Sequence, residues 1–173
     1  MAKHIVCNTG KLQATYGGAH LLSVRANIDL DNGMIVAVKQ LVEGEQEIYE
    51  VATPTDGDAV VLIKQDELIY DTSSKSAQDL YNFYNPAGLT TRAYELKEGF
   101  DTFDVSDYAI TPLATAVVKG NLVVHDGTCK FKELAKGTDT AIYGFVGEIV
   151  FVRKLANETQ VAIRVIKNRT VTA

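Results

Sequence analysis

Hydrophobicity in this chain alternates with a period of two. Leu22, Val24, Ala26 and Ile28 interleave with Ser23, Arg25, Asn27 and Asp29. Such alternation turns every second side chain to one face and marks a half-buried strand rather than a helix. Asp31-Asn32-Gly33 follows. Asn-Gly accepts the positive φ angles of a tight turn, so the spacing predicts a hairpin with a return strand over Met34–Leu41. Cys129–Lys132 is expected to return on Leu122–Val124 across His125-Asp126-Gly127-Thr128. Val161, Ile163 and Val165 alternate in the last predicted strand. Tyr143–Arg153 reads as a long strand in which Gly144 and Gly147 mark bulges or a sharp bend.

Further strands are expected over Glu47–Thr53, Ala59–Ile63, Thr91–Leu96 and Phe100–Val105, with Leu68–Tyr70 extending the second or forming another. One segment breaks the pattern. Ser76–Tyr84 reads as a short helix or an ordered aromatic loop, with Ser76 as cap and Asp79 at the capping-box position. The fold class is therefore all-β, a small barrel or sandwich of short antiparallel strands. Two stretches echo each other. Gly33–Leu62 and Gly120–Val150 each run from a glycine through a strand and a polar turn to a Thr-Asp pair and an apolar strand. Two similar β units are thus expected within one compact domain over 1–173, with a subdivision at 1–88 and 89–173. Thr170–Ala173 reads as a frayed tail.

A chain of 173 residues with 46% hydrophobic content can bury a core without metal or disulfide staples. The formal charge of -5 argues against a dedicated nucleic-acid binder. No run of apolar residues reaches membrane-helix length, and Met1–Cys7 lacks the apolar core of a signal peptide. Synthesis in a cytoplasm and no membrane association are expected. Charge is unevenly placed. Glu43–Asp71 holds nine acids and the single base Lys64, whereas Val150 onward holds five bases and the single acid Glu158. Facing outward, these segments give an acidic and a basic side, which suits docking on a charged protein surface.

The residues of catalysis are thinly represented. Cys7 and Cys129 read as small buried thiols. His4, His20 and His125 share no ligand spacing. Asp101, Asp104 and Asp107 crowd one stretch, where clustered carboxylates suit calcium and Asp104 or Asp107 suits capping a turn; Asp29–Gly33 lacks the ligand order of a calcium loop and reads as turn residues. No nucleophile elbow, phosphate loop or dinucleotide fingerprint is present. Asn157-Glu158-Thr159 and Asn168-Arg169-Thr170 match the glycosylation triplet, which matters only in a secreted protein. Tyr81, Phe83, Tyr84 and Tyr94 offer a stacking face to a carbohydrate, or anchors to a core or interface. No catalytic, cofactor-binding or metal-ligating residue is assigned, and no enzyme activity or cofactor is expected.

Three stretches carry a likeness: Leu30–Val36, Asn85–Leu96, and Glu98–Ser106 running into Asp107–Ile110. Val117–Val152 continues it. In this order the chain resembles the small β-rich virion proteins of tailed bacteriophages, the head decoration or auxiliary capsid proteins. The resemblance implies a structural protein without enzymatic activity that binds the outside of an assembled capsid lattice and stabilises it. It implies the major capsid protein as partner, and self-association into trimers in many members but not all. It places the protein on the virion exterior after synthesis in the host cytoplasm. Met1–Leu12 would serve as an arm on the capsid. The alternatives are another virion component, such as a head-fibre base or tail-tube protein, and a carbohydrate-binding β module.

Overall fold

The structure is a computed structural model that describes residues 3–17, 20–69, 73–75, 78–155 and 158–171. It contains β1 (Cys7–Lys11), the helical turn α1 (Gln13–Gly17), β2 (Leu21–Arg25), β3 (Ile35–Leu41), β4 (Ile48–Ala52), β5 (Val61–Ile63) and β6 (Thr90–Glu95). There follow β7 (Thr102–Ser106), β8 (Ile110–Thr111), β9 (Leu122–His125), β10 (Phe131–Leu134), β11 (Phe145–Leu155) and β12 (Glu158–Asn168). The all-β class is thus as the alternation predicts. Strands β2-β4-β3-β5-β6 close into a five-stranded barrel, and the others form a seven-stranded sheet in the order β1-β7-β12-β11-β9-β10-β8.

The two sheets are one motif used twice. In the barrel, Gly33 N–H donates to Ile63 O at 2.7 Å and Ile63 N–H returns to Met34 O at 2.9 Å. In the sheet, Gly120 N–H donates to Ile149 O at 2.7 Å and Ile149 N–H returns to Asn121 O at 2.9 Å. From these anchors the registers coincide. Ile35 opposite Leu62 matches Leu122 opposite Glu148. Val61 opposite Glu95 matches Gly147 opposite Val165. Leu22 opposite Ala93 matches Phe103 opposite Ile163. Segment 102–111 takes the part of β2. Its start pairs antiparallel with β12, as β2 does with β6, and its end pairs parallel with β10, as β2 does with β4. The expected pair of similar β units is therefore real. What opens the second barrel is β1, which occupies the other edge of β7 and leaves β8, past the 3-10 turn Asp107–Ala109, to reach β10.

Several local expectations shift. The hairpin from Leu22–Ile28 to Met34–Leu41 does not form, because β4 lies between β2 and β3. Asn32 does not sit in a two-residue hairpin loop. Its side chain is buried, accepts Gln65 N–H at 2.9 Å and donates to Gln65 O at 2.9 Å. That bonding carries the chain across to β5 instead. Two parallel pairs, β2 with β4 and β8 with β10, depart from the antiparallel expectation. The second hairpin, β9 to β10, forms as expected, with Gly127 at φ 86 and Cys129 at φ 76 in its loop. The register shift at Val146/Gly147 is the expected bulge. Leu68 and Ile69 form no strand, and Tyr70 lies outside the described residues. The helix over Ser76–Tyr84 shrinks to a 3-10 turn, Leu80–Asn82, whose cap is Asp79 accepting from Tyr81 N–H. Ser76 lies outside the described residues. Val171 is not frayed, since its N–H donates to Gly57 O at 2.8 Å; Thr172 and Ala173 lie outside the described residues.

One core joins the two units. Ile35, Leu62 and Tyr94 of the barrel pack in the same buried cluster as Phe103, Phe131, Phe145 and Ile163 of the sheet. A second cluster fills the barrel with Val24, Leu30, Val36 and Ile63, and Cys129 from the β9–β10 loop plugs it. The barrel's last strand, β6, lies beyond residue 88, so the units meet in the link between Glu95 and Thr102. Gly144 shows how closely they fit. Its N–H donates to Asp56 O at 2.6 Å, and a Cβ there would collide with the Asp58 carbonyl oxygen. Backbone cannot yield as a side chain can. Gly144→Ala is expected to cost about 1–3 kcal/mol in urea denaturation, and a loss under about 0.5 kcal/mol would show that the units are not clamped there.

Candidate functional site

The link between the units shapes a broad concavity. Asp101, 1% exposed, accepts the N–H of Gln13 at 2.8 Å and of Lys97 at 2.7 Å. It thereby fixes the first turn of α1 and the link in one stroke. Gly99, at φ 79, donates to Val165 O at 2.9 Å and holds the turn that presents Phe100. Between link, α1 and barrel lies a cleft of about 760 Å³. His20, Tyr49, Glu95, Glu98 and Asn168 are among the residues that line it. A smaller cleft of about 360 Å³, lined by Lys11, Leu12, Tyr16 and Phe100, adjoins it and shares Gln13, Lys97 and Asp101.

Each histidine pairs with a carboxylate of its own. His4 Nδ1 lies 2.7 Å from Asp31 Oδ1, with the ring stacked on Tyr84 at 5.0 Å. His20 Nδ1 lies 2.6 Å from Glu95 Oε2 at the mouth of the large cleft. His125, buried, places Nε2 3.0 Å from Asp56 Oδ1, but off the line of a hydrogen bond, while Nδ1 accepts Gly127 N–H at 3.2 Å. The three are not brought together. Among the described residues, no group of three or more His, Cys, Asp or Glu side chains is placed to hold a metal ion. Asp101 is a backbone cap, Asp104 sits in β7 opposite Asn8, and Asp107 opens a 3-10 turn. Both cysteines are buried, as expected, and burial pushes the Cys7 thiol up to about 12. Asn157 lies outside the described residues.

The aromatic face expected from Tyr81, Phe83, Tyr84 and Tyr94 is not assembled as one free surface. Tyr94 is buried in the core. Tyr81 packs edge-on to Tyr108, and Lys3 sits over both rings. Tyr84 is taken up by His4. Among the described residues, the most exposed rings are Tyr16 and Phe100, at 81% and 77%. Each stands alone in the sequence, so no local pattern flags it.

From Lys3 to Leu12 the segment expected as an arm belongs to the body; Met1 and Ala2 lie outside the described residues. Lys3 is ion-paired with Glu158, Ile5 is core, and β1 is ladder-bonded to β7. The hydrogen bond to Lys3 holds the Glu158 carboxyl below its ordinary value and raises the Lys3 ammonium. Charge is exposed as the sequence segregates it. Glu43, Glu45, Glu47 and Glu50 stand out from β4 and the loop before it, and Arg153 and Lys154 from β11. The outer edge of β11 from Phe151 onward has no strand beside it among the described residues.

Comparison with family models, with curated proteins and with solved structures finds no match to this chain. Fold and site therefore stand on their own geometry. No helix among the described residues is long and apolar enough to cross a membrane.

Asp58, on the wall of the large cleft, gives a pH signature. Burial pushes its carboxyl up, but hydrogen bonds from Thr55 N–H, Thr55 Oγ1 and Lys39 outweigh it and hold the group below 3.8. A carboxylate depressed on folding stabilises the fold above its unfolded pKa, and the effect is lost as pH falls through the folded pKa. Asp58→Asn is expected to lower Tm by about 2–4 °C at neutral pH. The deficit should close as acid protonates Asp58 in the parent, which thermal melts across the acid range will show.

Proposed function

We propose that this protein is a structural component of a tailed-bacteriophage virion. In this reading it binds the outer surface of the capsid, contacts the major capsid protein, stabilises the lattice and catalyses no reaction. The observation that supports it best is a single firm body carrying opposite charge on two different elements. The exposed acids stand on the β3–β4 loop of the closed barrel, and the exposed bases Arg153 and Lys154 on β11 of the opened one. Such a body meets a repeating surface through many modest contacts, and affinity multiplies over the lattice. Opposite charges steer each copy into register and disfavour the reversed pose. The seam between the units resists the local opening that proteases exploit. Self-association would use the same charges, acidic loop to basic hairpin, in a head-to-tail contact that closes into a ring when the rotation permits.

Two measurements test this. Quantitative mass spectrometry of purified particles should find on the order of hundreds of copies against the major capsid protein. Absence from particles would overturn the reading, and a few copies each would move it to a fibre or tail position. Arg153→Glu combined with Lys154→Glu should weaken rebinding to stripped heads by roughly tenfold or more, and added salt should weaken the parent likewise.

A further inference from the structure

Tyr16 and Phe100 are large apolar groups left in water at the two sides of one cleft. A ring of this size ordinarily buries about 150–250 Å². Both stand on fixed supports. Tyr16 donates its hydroxyl to Gly10 O at 2.9 Å, and Phe100 is held between Gly99, bonded to Val165, and the buried Asp101. The backbone that carries both rings is thus already ordered, and a ligand has only side-chain rotation to arrest. The floor of this cleft includes Leu12, which is fully buried. Gln13, Lys97 and Asp101 line both this cleft and the larger one, so the two adjoin as a paired groove along the link.

Charge along the groove selects the ligand class. The aromatic end carries Lys11 and Lys97, and the other end carries Glu95 and Glu98. An acidic peptide would meet the glutamates, and a basic one the lysines, with like charges opposed. A neutral chain with hydroxyls along its length meets neither penalty. Hydroxyls donate to carboxylates and accept from ammonium groups. The apolar C–H face of a pyranose stacks on an aromatic ring. Tyr49 supplies a further ring at the large end. The combined space suits a ligand of roughly two to four sugar rings.

We propose that this groove binds a neutral oligosaccharide, with Tyr16 and Phe100 as the stacking platform and His20, Glu95, Lys97 and Glu98 as partners to its hydroxyls. This places the sugar site away from Tyr81 and Tyr84, whose rings are already engaged by Lys3 and His4. It does not depend on the virion reading, because the groove lies within a single copy.

The test is an NMR titration of the full chain with maltohexaose, cellohexaose, xylohexaose and the tetramer of N-acetylglucosamine. At least one probe should give saturable shifts centred on Tyr16, Lys97 and Phe100, with Kd from about 10 μM to 1 mM. Tyr16→Ala and Phe100→Ala should each weaken it at least about tenfold with Tm unchanged, since both rings are exposed. Tyr81→Ala should leave the affinity as it is. The inference is overturned if no probe gives saturable shifts at about 10 mM. It is equally overturned if binding survives the double variant, or if the shifts lie outside the groove.

Discussion

The structure depends on a seam in which polar groups of one β unit find their partners in the other. Asn168, at the end of β12, accepts Val60 N–H at 2.8 Å and donates to Val60 O and Leu96 O at 2.9 Å. Ile35 N–H donates to Cys129 O at 2.9 Å, and Val171 N–H to Gly57 O at 2.8 Å. A buried backbone group without a partner costs free energy comparable to a lost hydrogen bond. Neither unit can therefore leave the other without exposing or orphaning such groups. The left-handed Cys129 follows from the same seam. An L residue is strained at φ 76, yet only that conformation aims its carbonyl at Ile35 while its thiol fills the mouth of the barrel.

Much of the architecture is written locally. Period-two alternation locates most strands, and the glycines at 33, 120, 127 and 147 fall where the chain needs left-handed turns or a bulge. Even the duplication shows, because Gly33 and Gly120 each precede a strand that doubles back on an apolar one. Pairing is where local reading stops. The Asn-Gly turn at 32–33 resembles a hairpin loop by itself, and Gln65, Glu67 and Asn85, distant in sequence, make it something else. The five residues of α1 are too few to display a helical period, and their cap is supplied by Asp101 from far along the chain. The groove was illegible for the same reason. Its rings, bases and acids are drawn from 11–20, 49 and 95–100, and nothing in any one segment implies the others.

Two surfaces of the molecule differ in kind. The charged projections carry side chains whose worth is set by solvent and salt, and which bind little singly. The groove is the reverse, a small fixed site whose walls are nailed to backbone by Asp101 and Asn168. One suits a partner met many times over, the other a small ligand met once per copy.

The strand that opens the second barrel also sets an order of events. β1 precedes the other strands of the two sheets, but the residues it pairs with, Thr102–Val105, lie about a hundred positions further along the chain, at a cost in loop closure. The barrel is complete at Glu95, before the strand that pairs with β1 begins. Cys7 and Ile5 meet Gly33 of the barrel unit, and Val105 of β7 completes their cover. A pairing of that sequence separation closes slowly, so the shared core is complete only once β1 has docked on β7.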